Sequence, residues 1–249
     1  MKICIFGAGA VGGHLAARLA LSGNDVSVIV RPATAGVLAR EGFEIHSGGQ
    51  VLRAKVRAYA TAAEAGVQDL VIVAVKATAM TEAARSLPAL IGPETPVVFV
   101  INGIPWWYGH GEPRCPPLEL LDPGAAMARA IGFERVIGSV VFSSNEVTAP
   151  GRIVNHSGGL NTLTLGEISG KAGERVRDLA ERVVASGFQA PVVDDIRREV
   201  WSKLVSSNLA VLPICSLVER PMAVLGGNPD LLALAKAVVV EGLAVARAA

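Results

Sequence analysis

Ile3-Cys4-Ile5-Phe6, followed at once by Gly7-Ala8-Gly9-Ala10-Val11-Gly12 and an Ala/Leu-rich stretch from Val11 to Leu21, decides how this chain is read. A short apolar run is what a strand buried on both faces looks like. Ser22-Gly23-Asn24 stops the helical stretch, and Val26 to Val30 supplies a second, β-branched strand. A GxGxxG match is weak alone, but here it sits between a strand and a helix inside a unit of about 30 residues, the context that signals dinucleotide binding. Gly7 then permits the tight turn, Gly9 lets the backbone approach a pyrophosphate, and Gly12 allows close helix–strand packing. The loop as a whole, with Ala8, Ala10 and Val11, forms the phosphate cradle, and the helix start offers free N–H groups.

The end of the second strand bears on which dinucleotide. An NAD site usually carries Asp or Glu there for the ribose hydroxyl. This chain has Val30-Arg31-Pro32. Arg31 is either a partner for a 2′-phosphate, which favours NADP(H), or an ordinary solvated charge. Asp25 precedes the strand and stands at the wrong end to reach the ribose.

Half of the 249 residues are hydrophobic, 18% are charged and 4% are aromatic, with a net charge of +1. Aliphatic strands and Ala-rich helices fit that balance better than an all-β sandwich. The near-neutral charge leaves no electrostatic footprint for nucleic acid or an anionic membrane. Cys4, Cys115 and Cys215 are odd in number and far apart, which suits a reducing compartment and argues against a disulfide framework or a zinc site. Glycines from Gly7 to Gly13 spoil the N-terminus as a signal peptide. Leu231 to Ala249 carries Lys236, Glu241 and Arg247, and reads as a core helix rather than a membrane span. The expectation is a soluble cytoplasmic protein.

Leu70 to Val75 is a third strong strand with Lys76 at its C-terminal end. Ligands of open α/β sheets sit outside those ends, so Lys76 either faces the cofactor crevice or is a surface loop residue. Val97 to Ile101 is a fourth strand ending in Asn102-Gly103. Asn102 is either part of a plain turn or an amide that orients substrate or nicotinamide. Trp106-Trp107-Tyr108 suggests a lid or pocket wall, or packing under a long loop. Gly109 to Gly124 reads as an irregular insertion, and Val136 to Phe142 as a strand. Ile153 to His156 and Thr162 to Leu165 read as a hairpin turned at Ser157-Gly158-Gly159, with His156 structural. Ala172 to Ser186 reads as an amphipathic helix and Gln189 to Val193 as a last strand.

From Asp195 the pattern is helical, and Ile196, Val200, Lys203, Leu204 and Ser207 share a face. Lys203 is either a snorkelling surface lysine or a partly buried amine whose lowered pKa suits a proton donor. The architecture expected is α/β: a Rossmann-like dinucleotide-binding domain with a mainly parallel sheet over residues 1–193, then the start of an all-α domain over residues 194–249.

Together these residues resemble the ketopantoate reductase family. The resemblance spans essentially the whole chain: the Gly7–Gly12 loop, Arg31, Val75-Lys76, Asn102-Gly103-Ile104-Pro105-Trp106-Trp107, Gly166-Glu167 and Trp201-Ser202-Lys203-Leu204. The Asn-Gly and Trp-x-Lys-Leu elements are its most specific parts. It implies reduction of ketopantoate to pantoate by NADPH, with the residue matching Lys203 as general acid. The one matching Asn102 then binds substrate and cofactor, and those matching Arg31 and Lys76 contact NADP(H). The partner expected is a small 2-keto acid, with no nucleic acid or membrane, and a homodimer is open.

Two departures stand out. The family places Asn four and eight residues after the lysine, where this chain has Ser207 and Val211. Asn208 comes one residue late, and Leu212 falls at the second Asn. One inserted residue rotates a helix by about 100°, so Lys203 and Asn208 meet one substrate only if a bulge absorbs it. The chain also stops at Ala249 inside an apolar helical pattern, whereas family members continue with helices carrying a substrate-binding Ser and Glu. The sequence therefore reads as a truncated chain, a fragment or a decayed copy. Two other functions stay open beside ketopantoate reduction: reduction of another branched 2-keto acid, and dinucleotide binding without turnover.

Overall fold

The apolar run at the N-terminus forms β1 (Lys2–Phe6), which passes through the glycine loop into α1 (Ala10–Leu21) and returns as β2 (Asp25–Ile29), parallel to β1. This is a computed structural model, and it describes residues 1–113, 115, 118–218 and 224–248. α2 (Pro32–Glu41) starts with Pro32 in the first turn, where its missing N–H has no helical partner to lose. Then come β3 (Phe43–Ser47), β4 (Gln50–Ala54) and β5 (Arg57–Tyr59). α3 (Ala62–Ala65) opens on a capping box in which Thr61 and Glu64 exchange bonds. β6 (Leu70–Val73), α4 (Met80–Ser86), β7 (Val97–Phe99), α5 (Ala126–Ile131) and β8 (Val136–Phe142) continue the alternation.

All of these strands except β3 and β4 lie in one seven-stranded sheet whose order starts β5-β2-β1-β6-β7-β8. All six run parallel, in the order of a dinucleotide-binding sheet, with the switch of direction between β1 and β6. The seventh strand, β11 (Thr162–Glu167), closes the far edge antiparallel to β8. Alternate residues of β1 feed two cores: Ile3 and Ile5 pack with Leu15 and Leu19 of α1, while Cys4 faces Phe99, Trp106 and Trp107.

β9 (Asn145–Ala149) and β10 (Arg152–Asn155) correct one expectation. Residues 153–165 do not form a hairpin. β10 is antiparallel to β9 and parallel to β3, within a second sheet of order β4-β3-β10-β9, whereas β11 crosses to the main sheet. The turn signal at Ser157-Gly158-Gly159 marks a chain reversal without specifying which strands pair across it. Ile153 of β10 and Phe43 of β3 press on α1 opposite Gly13, so the small sheet covers the face of α1 turned away from the main sheet. A buried polar patch seals this junction: Asn155 donates to Asn145 Oδ1 at 2.8 Å and to Asn161 Oδ1 at 2.9 Å, and Ser143 donates to Asn161 at 2.6 Å.

α6 (Glu174–Ala185) packs Val176, Leu179, Ala180 and Val183 onto the main sheet. Gln189 to Val193 runs beside β11 but makes only isolated bridges to it, so the expected last strand is an edge segment. Asp195 caps α7 (Ile196–Lys203), accepting from the Arg198 N–H at 3.0 Å. A π-helical stretch, Leu204–Val211, leads into α8 (Leu212–Leu217), and α9 (Val224–Gly227) and α10 (Pro229–Ala248) follow. Ile196–Leu217 is one continuous stretch long and apolar enough by composition to cross a bilayer.

α10 is not the core helix that its composition suggests. It packs through a narrow stripe, Ala235 and Gly242, with Gly242 against Val205 of the π stretch. Leu232, Leu234, Val240, Leu243 and Val245 stay exposed, because only one face of the helix meets the described residues. Ala249, and residues 114, 116 and 117 of the Gly109–Gly124 insertion, lie outside the described residues.

Candidate active site

The turn after β1 meets the demands expected of its glycines. Gly7 has a φ of +95°, a region that L side chains rarely adopt, and a Cβ there would lie 2.5 Å from Val75 Cγ1. At Gly12 a Cβ would lie 2.2 Å from the Gly7 carbonyl and 2.9 Å from Ala74 Cβ, so only glycine lets α1 press so close to β1 and β6. Gly9 differs, since nothing lies within 4 Å of an added Cβ. Its surroundings are open where a phosphate would approach. The first helical bond, from Gly13 N–H to the Gly9 carbonyl, is 2.8 Å long, which leaves the N–H groups of Ala10, Val11 and Gly12 without a helical acceptor, and no side chain caps them. Helix polarity adds partial positive charge at the same place.

A cavity of about 650 Å³ opens beside this turn. Gly7, Val30, Arg31, Thr61, Val75 and Arg85 are among its lining residues. Arg31 sits just past β2, exposed, at the head of α2. Asp25 stands at the opposite end of the strand and is paired with Arg57. The residues present therefore fit a dinucleotide: a helix start and an open glycine for the pyrophosphate, and a cation in place of an acid beyond β2. Lys76 directly follows Val75, exposed at the head of a short 3-10 turn, and lines neither this cavity nor the cleft described next.

The second cluster is built by β7, β8 and α7. Lys203 Nζ donates to Asn102 Oδ1 at 2.5 Å and also to the Val141 carbonyl at the end of β8. The Phe142 ring lies 5.1 Å from the same nitrogen. All of these neighbours are neutral, and burial alone pulls the ammonium from its usual 10.5 down to about 8. Lys203 is thus neither a freely solvated nor a salt-bridged lysine.

Lys203 and Asn208 line the same narrow cleft, together with Gly103, Ser139 and Val140. The π stretch explains how. Its wider turn accommodates the extra residue, so the fifth residue after Lys203 comes onto the face where an ordinary helix would present the fourth. Ser207 takes no place in that cleft, and Leu212 is exposed one turn beyond.

Trp106 and Trp107 are both core residues rather than a mobile lid. Trp106 packs edge-on against Phe99 and also walls a separate cavity of about 370 Å³ with His110 and Phe133. His156 pairs with Glu146 on the surface at 3.2 Å, a structural contact as expected. Glu167, buried, is held by Arg175 through Nε at 2.8 Å and through a second nitrogen. Sequence reasoning missed Val141 and Phe142, because a carbonyl acceptor and a lone aromatic at a strand end leave no motif.

A parallel sheet in dinucleotide-binding order, with an open glycine turn at its switch point and a partly buried amine hydrogen-bonded at the strand ends, defines a dinucleotide-dependent oxidoreductase. Comparison with known proteins agrees. The sequence model described as ketopantoate reductase PanE/ApbA matches residues 3–170. The 2-dehydropantoate 2-reductase of Mesorhizobium japonicum is 44% identical over 251 residues, covering 98% of this chain and 76% of that protein. A solved structure from Ralstonia solanacearum MolK2, assigned as a ketopantoate reductase, superposes with a TM-score of 0.88 at 38% identity, covering 98% of this chain and 75% of that one. The 2-dehydropantoate 2-reductase of Geobacter metallireducens GS-15 superposes with a TM-score of 0.83 at 26% identity, over 98% and 74%. The chain belongs to the ketopantoate reductase family.

Proposed function

We infer that this chain reduces ketopantoate to pantoate with NADPH, a step of pantothenate and coenzyme A biosynthesis, in the cytoplasm. The observation that carries the reading is the Lys203–Asn102 pair at the carboxyl end of the sheet, where ligands of such sheets bind. NADPH, when bound, supplies the hydride that reaches the keto carbon. Lys203 gives its proton to the carbonyl oxygen as negative charge develops there, and a pKa near 8 leaves it mostly protonated at neutral pH yet a stronger acid than a free lysine. Asn102 holds the ammonium through its Oδ1, which leaves the amide Nδ2 to donate to substrate or nicotinamide. Asn208, brought onto the same cleft, binds the substrate's oxygens. The backbone of Gly7, Ala8, Gly9, Ala10, Val11 and Gly12 holds the pyrophosphate, Arg31 pairs with the 2′-phosphate, and Lys76, one residue beyond the Val75 that lines the cavity, contacts NADP(H) from its rim. Residues 1–193 form the cofactor unit and residues 194–249 the helical unit that brings Lys203 to it, and a homodimer is compatible with the exposed face of α10.

A second reading keeps the chemistry and changes the substrate. Leu212 stands at the family's second Asn and has no amide to bond a substrate hydroxyl, and the Phe142 ring lies beside Lys203, which suits a less polar branched 2-keto acid. The test is one experiment: loss of NADPH absorbance and appearance of the hydroxy acid, with ketopantoate beside its analogue lacking the terminal hydroxyl. Faster turnover of ketopantoate supports the first reading, and faster turnover of the analogue the second. NADPH binding with neither reduced leaves a dinucleotide-binding protein. Repeating the assay with NADH and with Arg31→Ala checks the cofactor, the expectation being that NADPH is preferred and the variant narrows the preference.

A further inference from the structure

Two side chains on α7 tie that helix to the loop that follows Asn102. Arg197 donates through Nε to the Tyr108 carbonyl at 2.9 Å, through Nη1 to the Ile168 carbonyl at 2.6 Å, and through Nη2 to the His110 carbonyl. Its guanidinium also lies 5.8 Å from the Trp107 ring centroid and 5.9 Å from that of Tyr108. One turn further along the helix, Trp201 Nε1 donates to the Tyr108 hydroxyl at 2.7 Å. Below them Ile196 lies directly on the sheet, because Gly138 of β8 and Gly166 of β11 leave no room for a Cβ, which would come within 2.9 Å of its side chain. Neither Arg197 nor Trp201 lines the cleft that holds Lys203 and Asn208.

We propose that Arg197 and Trp201 are positioning residues: they fix the rotation and height of α7, so that Lys203 on the same helix reaches Asn102 and the Val141 carbonyl. The proposal rests on reading Lys203 as the proton donor. A planar guanidinium bonded to carbonyls of two separate segments, residues 108–110 and residue 168, resists both sliding and turning of its helix, which a single bond does not. The leverage is large. Turning a helix by about 20° moves the tip of a long side chain by roughly 2 Å, and about 1 Å of misplacement costs on the order of 100-fold in rate. The clamp lands on the segment that carries Asn102, so donor and acceptor are set in one frame.

The test reads the lysine without requiring turnover. The pH dependence of Lys203 acylation by an amine-directed reagent, followed by mass spectrometry, gives its pKa in wild type, Arg197→Ala, Arg197→Lys and Trp201→Phe, and kcat and KM are measured beside it. Release of α7 returns Lys203 to solvent, so its pKa rises from about 8 towards 10.5 in Arg197→Ala. The expected kcat falls about 10- to 100-fold while KM for NADPH stays within about twofold. Arg197→Lys does not restore either value, since an ammonium cannot reproduce the planar fork. Trp201→Phe, which loses one hydrogen bond, shifts both in the same direction by less, and it carries the test alone if Arg197→Ala does not fold. An unmoved Lys203 pKa in a folded variant overturns the proposal whatever happens to the rate. Failure of the reductase reading shows separately, as wild-type protein that titrates Lys203 near 8 but turns over no keto acid.

Discussion

Lys203 Nζ and Asn102 Oδ1 are 2.5 Å apart although 101 positions separate them in the chain. The bond joins the helix after the last sheet segment to the loop after β7, and it leaves the amine among neutral partners. Burial then sets its acidity, and the rate should report it. A proton donor must be charged, and Lys203 loses its proton through about 8. kcat/KM for the keto acid is therefore expected to fall with an alkaline limb near pH 8, well below the usual lysine value. A limb near the unperturbed 10.5 would show the amine to be solvated in the working enzyme.

The π stretch makes a prediction that an ordinary helix would reverse. Asn208 lines the cleft and Ser207 does not. Asn208→Ala should raise KM for the keto acid by about 10- to 100-fold, as for a lost hydrogen bond to a charged or polar substrate group, with KM for NADPH little changed. Adding Ser207→Asn to that variant should not rescue it. Rescue would mean that the helix winds regularly in solution and presents position 207 instead.

Gly9 and Gly12 should separate cofactor binding from folding. An alanine Cβ at Gly12 meets the Gly7 carbonyl and Ala74, so Gly12→Ala should lower both Tm and NADPH affinity. At Gly9 the Cβ meets nothing, so Gly9→Ala should melt close to wild type and still lose affinity, because the methyl occupies the approach of the pyrophosphate. Calorimetry for binding and thermal melts for stability distinguish the two. Unchanged affinity in Gly9→Ala would place the phosphates elsewhere.

His14 should govern acid stability. It is fully buried on α1, with its ring 5.1 Å from that of Phe188, and burial, with Arg18 nearby, holds its pKa down to about 4. The unfolded chain binds this proton near the ordinary value of 6.5, the folded one only near 4. The contribution to stability is therefore complete above about 6.5 and is lost as pH falls towards 4, by up to about 1.4 kcal/mol per pH unit. Urea unfolding at neutral pH and at about pH 5 should show a larger acid loss in wild type than in His14→Gln. Equal losses would assign acid sensitivity to other groups.

The first βαβ unit was legible because its signal is local: strand, glycine spacing and helix lie within one short segment, and Gly12 answers the Gly7 carbonyl inside it. Asp195 as the start of α7 was equally local. The pairing of β10 was not, since β3, its partner, is more than a hundred residues away and the turn at Ser157-Gly158-Gly159 reads the same whichever strand follows. Nor was the polar patch of Asn145, Asn155 and Asn161, three amides on irregular spacing that share one buried junction. The aromatic pair Trp106-Trp107 shows a different limit, because composition cannot tell a pocket wall from core. At the site, the inserted residue before Asn208 was visible in the sequence, but only the π geometry decides which side chain meets the cleft.

Lys203→Ala tests the central claim most directly. Ketopantoate-dependent NADPH oxidation by this variant and by wild type is measured beside NADPH affinity. Loss of general-acid catalysis predicts a fall in kcat of about 100- to 10,000-fold, with NADPH bound as before. A variant that turns over ketopantoate at the wild-type rate would remove Lys203 from the mechanism and contradict the account.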